Sequence, residues 1–103
     1  MTYDYELTLI LPGRVEQDEI GNEIPVDPIE TTILCDLKSV SRSEFYNAAA
    51  TGLRPELVFV IHKYEYNGER LVEFDGKRYN VLRTYATGIE ELELMCERVA
   101  ANG

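Results

Sequence analysis

The chain has 103 residues, enough for one domain with one modest hydrophobic core and too few for two such domains. Nineteen acidic against ten basic side chains give a formal charge of −9, and 45% of the residues are hydrophobic. The hydrophobic fraction argues against disorder, and the negative charge argues against surfaces that bind nucleic-acid phosphates or anionic membranes. We therefore expect a single folded domain over residues 1–103.

The first predicted element is a strand, because large apolar and polar side chains alternate over residues 3–11. The following segment, residues 14–28, is polar and acidic with scattered apolar positions. A turn near Gly21 would make this segment a loose hairpin, and Pro25 and Pro28 would confine the hairpin to a sheet edge. We expect an exposed, mobile excursion here.

The clearest predicted element is a helix that follows a second predicted strand, residues 29–40. Ser41 and Glu44 have the spacing of a capping box, with Ser41 as the N-cap. Gly52 suits the left-handed conformation that ends many helices. These signals predict one short helix over residues 42–51. The apolar positions that recur at helical spacing are Phe45, Ala48 and Ala49.

The rest of the chain is predicted to form strands, over residues 57–61, 71–74, 77–85 and 90–98. Tyr64 and Tyr66 extend the first of these strands, and Asp75 with Gly76 forms a tight hairpin turn between the next two. In the last strand, glutamates alternate with apolar residues, which favours strand over helix. About six short strands with one inserted helix predict a mainly β fold, either a small β-barrel or a sandwich.

The sequence offers no constellation typical of catalysis or metal binding. The single histidine, His62, follows the most apolar stretch with no nucleophile nearby in sequence, so a structural role is the plainer interpretation. Glu91 and Glu93 share a strand face, as the carboxylates of a glycosidase can, yet a charged outer face is the better interpretation. We predict no catalytic, metal-binding or cofactor-binding residues, no cofactor and no enzyme activity.

The cysteines and the first residues favour a cytosolic setting. Cys35 and Cys96 are isolated in sequence, with no CxxC pair, so a reduced and buried thiol is expected for each. A disulfide stays open as an alternative if their two strands are neighbours. Residues 1–5 lack the basic start and apolar run of a secretory signal, so the protein is expected to start in a cytosol.

An ordered series of motifs covers more than half of the chain. The motifs are DEIGN (18–22), SVSRSEFYNA (39–48), GLRPE (52–56), YNGE (66–69), FDGKRY (74–79), RTY (83–85) and IEELEL (89–94). No single motif is diagnostic, but their order and spacing together resemble the head closure, or head–tail adaptor, proteins of tailed bacteriophages and prophages.

The resemblance implies a small β-barrel that assembles as a ring beneath the portal and its adaptor. Such a ring closes the DNA-filled head and provides the tail attachment surface. The implied partners are the portal or adaptor proteins, the tail-joining protein and further copies of the chain. Genomic DNA would pass through the channel without sequence-specific binding, repelled by an acidic wall if the acidic residues face inward. The implied location is the virion, with assembly in the cytoplasm of the bacterial host.

In that family, the segment matching residues 40–53 lies near the channel and can be remodelled on assembly. It is the candidate gate or interface segment, although in the isolated protein we expect a helix packed on the barrel by Phe45. The candidate partner or channel interface residues are Arg42, Glu44, Phe45, Tyr46, Leu53, Arg54, Asp18, Glu19 and Glu23. Two other classes stay open: a stand-alone cytosolic β-barrel that binds a ligand or a protein, and, ranked last, a small enzyme.

Overall fold

The computed structural model describes residues 3–99, which form eight strands, one α-helix and one short 3₁₀ helix. In chain order the elements are β1 (Tyr5–Leu11), β2 (Arg14–Gln17), β3 (Glu23–Val26), β4 (Ile29–Lys38), α1 (Arg42–Ala49), β5 (Leu57–His62), the 3₁₀ helix (Lys63–Glu65), β6 (Leu71–Phe74), β7 (Lys77–Ala86) and β8 (Glu91–Arg98).

Six of these strands close into an antiparallel barrel in the order β1-β4-β5-β8-β7-β6. β1 pairs with both β4 and β6, which joins the two ends of the sheet. The predicted mainly β fold with one inserted helix is confirmed, and of the two architectures left open it is the barrel. Closure pairs the strands that would form the edges of an open sandwich.

The barrel interior is filled by alternating apolar side chains from all six strands. Phe59 is 0% exposed, and its ring centroid lies 5.3 Å from that of Phe74 and 5.6 Å from that of Tyr79. The other buried members of this core are Leu7, Leu9, Ile33, Cys35, Ile61, Val72, Val81, Leu92, Leu94 and Cys96. The period of two that the sequence shows in its strands therefore selects the residues that fill the barrel.

β2 and β3 form a separate two-stranded ribbon, residues 14–26, and within the described chain they pair only with each other. The ribbon leaves the barrel between β1 and β4, which confirms the predicted hairpin. The molecule measures 52 × 30 × 25 Å with a radius of gyration of 15.6 Å, against about 13 Å for a compact chain of this length. The ribbon is thus an appendage to the core.

The chain does not continue as a strand through Tyr64 and Tyr66, so that predicted extension was wrong. The 3₁₀ helix forms there, with the Tyr66 N–H donating to the Lys63 carbonyl at 3.3 Å. His62 Nδ1 also lies 3.2 Å from the carboxylate of Glu65, three residues later. This local pairing favours a tight turn, which alternating tyrosines in the sequence do not reveal.

Both cysteines are free and buried, as predicted. Cys35 lies on β4 and Cys96 on β8, and β5 separates these two strands in the barrel. Burial raises the pKa of each thiol to about 12, and the nearby Asp36 carboxylate adds a smaller effect at Cys35.

We expect both thiols to resist alkylation in the folded protein. With a pKa of about 12, each thiol is almost entirely protonated near neutral pH, so little of the reactive thiolate is present. In the unfolded chain the pKa returns to its ordinary value of 9.0. A pKa raised by folding means that the thiols' contribution to stability is fully present below pH 9.0 and is lost as the pH rises toward about 12. Labelling with iodoacetamide at pH 8, with and without denaturant, checks this, and equal rates in both conditions would contradict it.

Candidate functional site

The start of α1 is fixed by the cap that the sequence predicts. The Ser41 Oγ accepts a hydrogen bond from the Glu44 N–H at 3.2 Å and donates one to the Glu44 Oε1 at 2.9 Å. The hydroxyl thereby satisfies a free N–H of the first turn, where a carboxylate is also favoured by the helix dipole. The predicted interface residue Glu44 is therefore engaged in starting the helix.

The end of α1 has the hydrogen bonds of a Schellman motif. The Leu53 N–H donates to the Ala48 carbonyl at 3.0 Å, and the Gly52 N–H donates to the carbonyl three residues before it at 3.0 Å. Gly52 has a φ of 83°. The Arg54 N–H then donates to the Glu97 Oε1 at 2.9 Å, which ties the loop to β8. The candidate segment 40–53 is thus a helix capped at both ends, with its exit anchored on the barrel.

Replacing Gly52 by alanine is expected to lower the free energy of unfolding by about 1–2 kcal/mol, because a Cβ disfavours the left-handed backbone at that position. An added Cβ meets no atom within 4 Å, so the cost is conformational rather than steric. Chemical denaturation measures it. Gly52→Asn is the matched control and should cost less, since asparagine tolerates this conformation. An alanine variant as stable as the parent would contradict the assignment.

The exposed face of α1 carries two aromatic residues. Phe45 is 40% exposed and Tyr46 is 65% exposed, with their rings edge to face at 6.0 Å. Phe45 lines a cleft of 530 Å³ between the helix and the start of β5, together with Pro55 and Leu57. Phe45, which was expected to pack the helix on the barrel, is only partly covered, and Ala48 is the one fully buried residue of the helix.

The other candidate interface residues on this part of the chain differ in accessibility. Arg42 and Arg54 are exposed, whereas Leu53 is half-buried. We call the group formed by Arg42, Phe45, Tyr46 and Arg54 the helix surface. It combines two aromatic rings with two guanidinium groups, the residue types that contribute most often to protein interfaces.

The ribbon turn holds the three acidic candidates, and they have different roles. The Asp18 Oδ1 accepts hydrogen bonds from the backbone N–H of Ile20 at 3.0 Å and of Asn22 at 2.8 Å. Asp18 therefore folds the turn, as aspartate does in an Asx turn. Glu19 and Glu23 are exposed. Of the three candidates, Glu19 and Glu23 are therefore the ones whose carboxylates face solvent.

The structure does not bring the two predicted sets together. The ribbon precedes β4 and the helix surface follows it, and β4 has 10 residues. A strand of that length spans about 30 Å. The candidate site is therefore two surfaces, at opposite ends of one strand.

A polar cluster that the sequence did not predict joins the first described residue to the barrel. The Tyr3 ring stacks on the His62 ring at 4.4 Å, and its hydroxyl donates to the carboxylate of Glu91. This hydrogen bond raises the pKa of Tyr3 to about 12. The three residues are distant in sequence and share no motif, so no signal could have found them. Their contacts agree with the structural role interpreted for His62.

Among residues 3–99, no group of three or more His, Cys, Asp or Glu side chains is arranged to hold a metal ion. No helix in that range is long and apolar enough to cross a membrane. In comparisons with known proteins, no family model matches the chain, and no curated protein matches it in sequence. The candidate surfaces therefore have to be interpreted from their own chemistry.

Proposed function

We propose that this chain is a structural subunit of the head–tail connector of a tailed bacteriophage or prophage. It would form a ring below the portal and adaptor, close the DNA-filled head and provide the tail attachment surface. The observation that carries the proposal is a closed, filled barrel with two projections at opposite ends of β4. A ring subunit needs a body that keeps its shape and separate surfaces for its neighbours and for partners along the axis.

The positions of the resembling motifs support the proposal. The stretch 18–22 forms the ribbon turn, and the stretch 39–48 leads into and forms most of the capped helix. The stretch 74–79 contains the tight turn between β6 and β7, where Asp75 and Gly76 both have positive φ. The features that the resemblance depends on are thus the turns and caps of this fold.

The alternative of a stand-alone ligand-binding barrel has less support. Small-molecule pockets in barrels of this kind lie inside the barrel. In the described residues the interior is occupied by core side chains, with Phe59, Leu94 and Cys96 among those that are 0% exposed. A ligand would have to bind on the outer surface. We likewise propose a non-enzymatic role, since His62 and Glu91 are engaged with Tyr3.

Binding to the cognate portal–adaptor complex tests the proposal. The purified chain is expected to be a monomer or a weak oligomer alone, because like charges repel at a formal charge of −9. The portal–adaptor complex should bind several copies of the chain stably, which native mass spectrometry measures. The portal without its adaptor is the control. No capture by the complete complex would contradict the proposal.

A further inference from the structure

The outer edge of β7 borders a cleft of 500 Å³, separate from the helix surface and the ribbon. The loop of residues 66–70 forms its other wall. The side chains that line it include Tyr66, Arg70, Leu82, Arg83 and Tyr85. Arginine and tyrosine are enriched in interface hot spots, and this cleft has two of each.

The charge of this cleft is opposite to that of the molecule. No carboxylate lines it, whereas four other clefts on the described surface each include at least one. Arg70 and Arg83 are exposed and form no ion pair with a described carboxylate. The neighbouring Glu69 is 4% exposed, and its Oε1 accepts the Asn67 N–H at 2.7 Å. A chain of formal charge −9 thus keeps one positive cleft.

The cleft also contains an unpaired stretch of strand. β7 pairs with β6 from Lys77 as far as Asn80, and the Val81 N–H donates to the Arg70 carbonyl at 2.9 Å. Beyond this point, within the described chain, residues 83–86 pair with β8 alone. The backbone groups on their other side are therefore open to a further strand, the mode of recognition called β-augmentation.

The ribbon has the complementary properties. It carries Glu19 and Glu23 as exposed carboxylates and exposes Val15, Ile20 and Ile24, at 63%, 82% and 45%. A two-stranded ribbon without further partners is marginally stable in water. On β3, Pro25 lacks an N–H, so β2 is the better of the two edges for adding to another sheet. No ribbon residue lines the cleft of its own molecule.

We propose that β2 of one copy adds to the outer edge of β7 of a second copy, with the ribbon carboxylates facing Arg70 and Arg83. The two surfaces differ, so the contact is heterologous and repeats head to tail, which closes into a ring when the rotation allows it. The inference rests on the proposed connector function and specifies how neighbours in its ring hold each other.

Mixtures of two variants, each with one added cysteine, test this contact. Val15→Cys and Thr84→Cys place thiols on the ribbon and on the β7 edge, both exposed. The native thiols are buried, with pKa values of about 12, and should stay unlabelled. The two variants are mixed, assembled on the portal–adaptor complex and treated with a short bismaleimide. Because each chain carries only one of the two added thiols, a cross-link between Val15→Cys and Thr84→Cys can form only between two copies. The matched control replaces Thr84→Cys by Asn47→Cys, an exposed position on α1.

The expected result is a cross-linked dimer from the first mixture and at least about fivefold less from the control. Adding Arg70→Glu and Arg83→Glu to the Thr84→Cys chain should remove the dimer. Adding Glu19→Arg and Glu23→Arg to the Val15→Cys chain should restore it, which a merely misfolded variant would not do. Capture without a ribbon–cleft cross-link would overturn this inference and leave the proposed function standing. If there is no capture, the same mixtures at high concentration in solution test the contact alone, and no dimer there would also overturn it.

Discussion

Replacing Phe59 by alanine is expected to lower the free energy of unfolding by about 3–5 kcal/mol. The Phe59 side chain is 0% exposed and packs against Phe74 and Tyr79 inside the barrel. Its removal loses the transfer free energy of the ring and leaves a cavity that the closed sheet cannot fill by collapse. A domain of this size has a total stability of about 5–15 kcal/mol, so the variant should be close to unfolding. Urea denaturation followed by circular dichroism measures the difference.

The matched control is Phe45→Ala, the same chemical change on α1. Because Phe45 is 40% exposed, its loss should cost less, about 1–2 kcal/mol. Equal destabilisation by the two substitutions would mean that the barrel interior is not the principal core, and would contradict the packing described above.

The second large effect is expected in binding rather than in folding. The double variant Phe45→Ala, Tyr46→Ala should weaken capture by the portal–adaptor complex about 30- to 700-fold, the loss typical of aromatic hot spots worth about 2–4 kcal/mol. Both rings are exposed beside a cleft and contribute little to the core, so the fold should survive. Binding measured by biolayer interferometry, with circular dichroism of each variant, separates the two effects.

The matched control is Tyr64→Ala, which removes a tyrosine that is 79% exposed beyond the far end of β5. It should leave capture unchanged. Unchanged capture by the double variant would remove the helix surface from the proposed interface, and equal losses in both variants would show that the binding is non-specific.

Much of the fold could be predicted because its signals are local. A period of two marks Leu92, Leu94 and Cys96 as the inward face of β8, and Ser41 with Gly52 marks the helix at both ends. These signals depend on residues a few positions apart, where backbone sterics and hydrogen bonding act directly. The choice between barrel and sandwich could not be made in this way, because it depends on the pairing of β1 with β6, more than sixty residues later in the chain.

The candidate site was predicted less completely, for the same physical reason. The prediction for Asp18 as an interface residue did not reveal that its carboxylate folds the ribbon turn. Phe45 was expected to pack α1 on the barrel, yet it stays 40% exposed and the small Ala48 is the buried helical residue. The cleft of Arg70 and Arg83 was missed because the residues become neighbours only through the β6–β7 pairing. Sequence spacing indicates which residues share an element, whereas a surface is made by elements that meet after folding.

Electron cryomicroscopy of the cognate connector, isolated from virions with its portal, adaptor and tail-joining protein, tests the central proposal most directly. We expect a closed ring of this chain between the adaptor and the tail-joining protein, with the six-stranded barrel as its repeating body. The proposal would be contradicted if another protein occupied the position between the adaptor and the tail-joining protein, or if no ring of this barrel were present there.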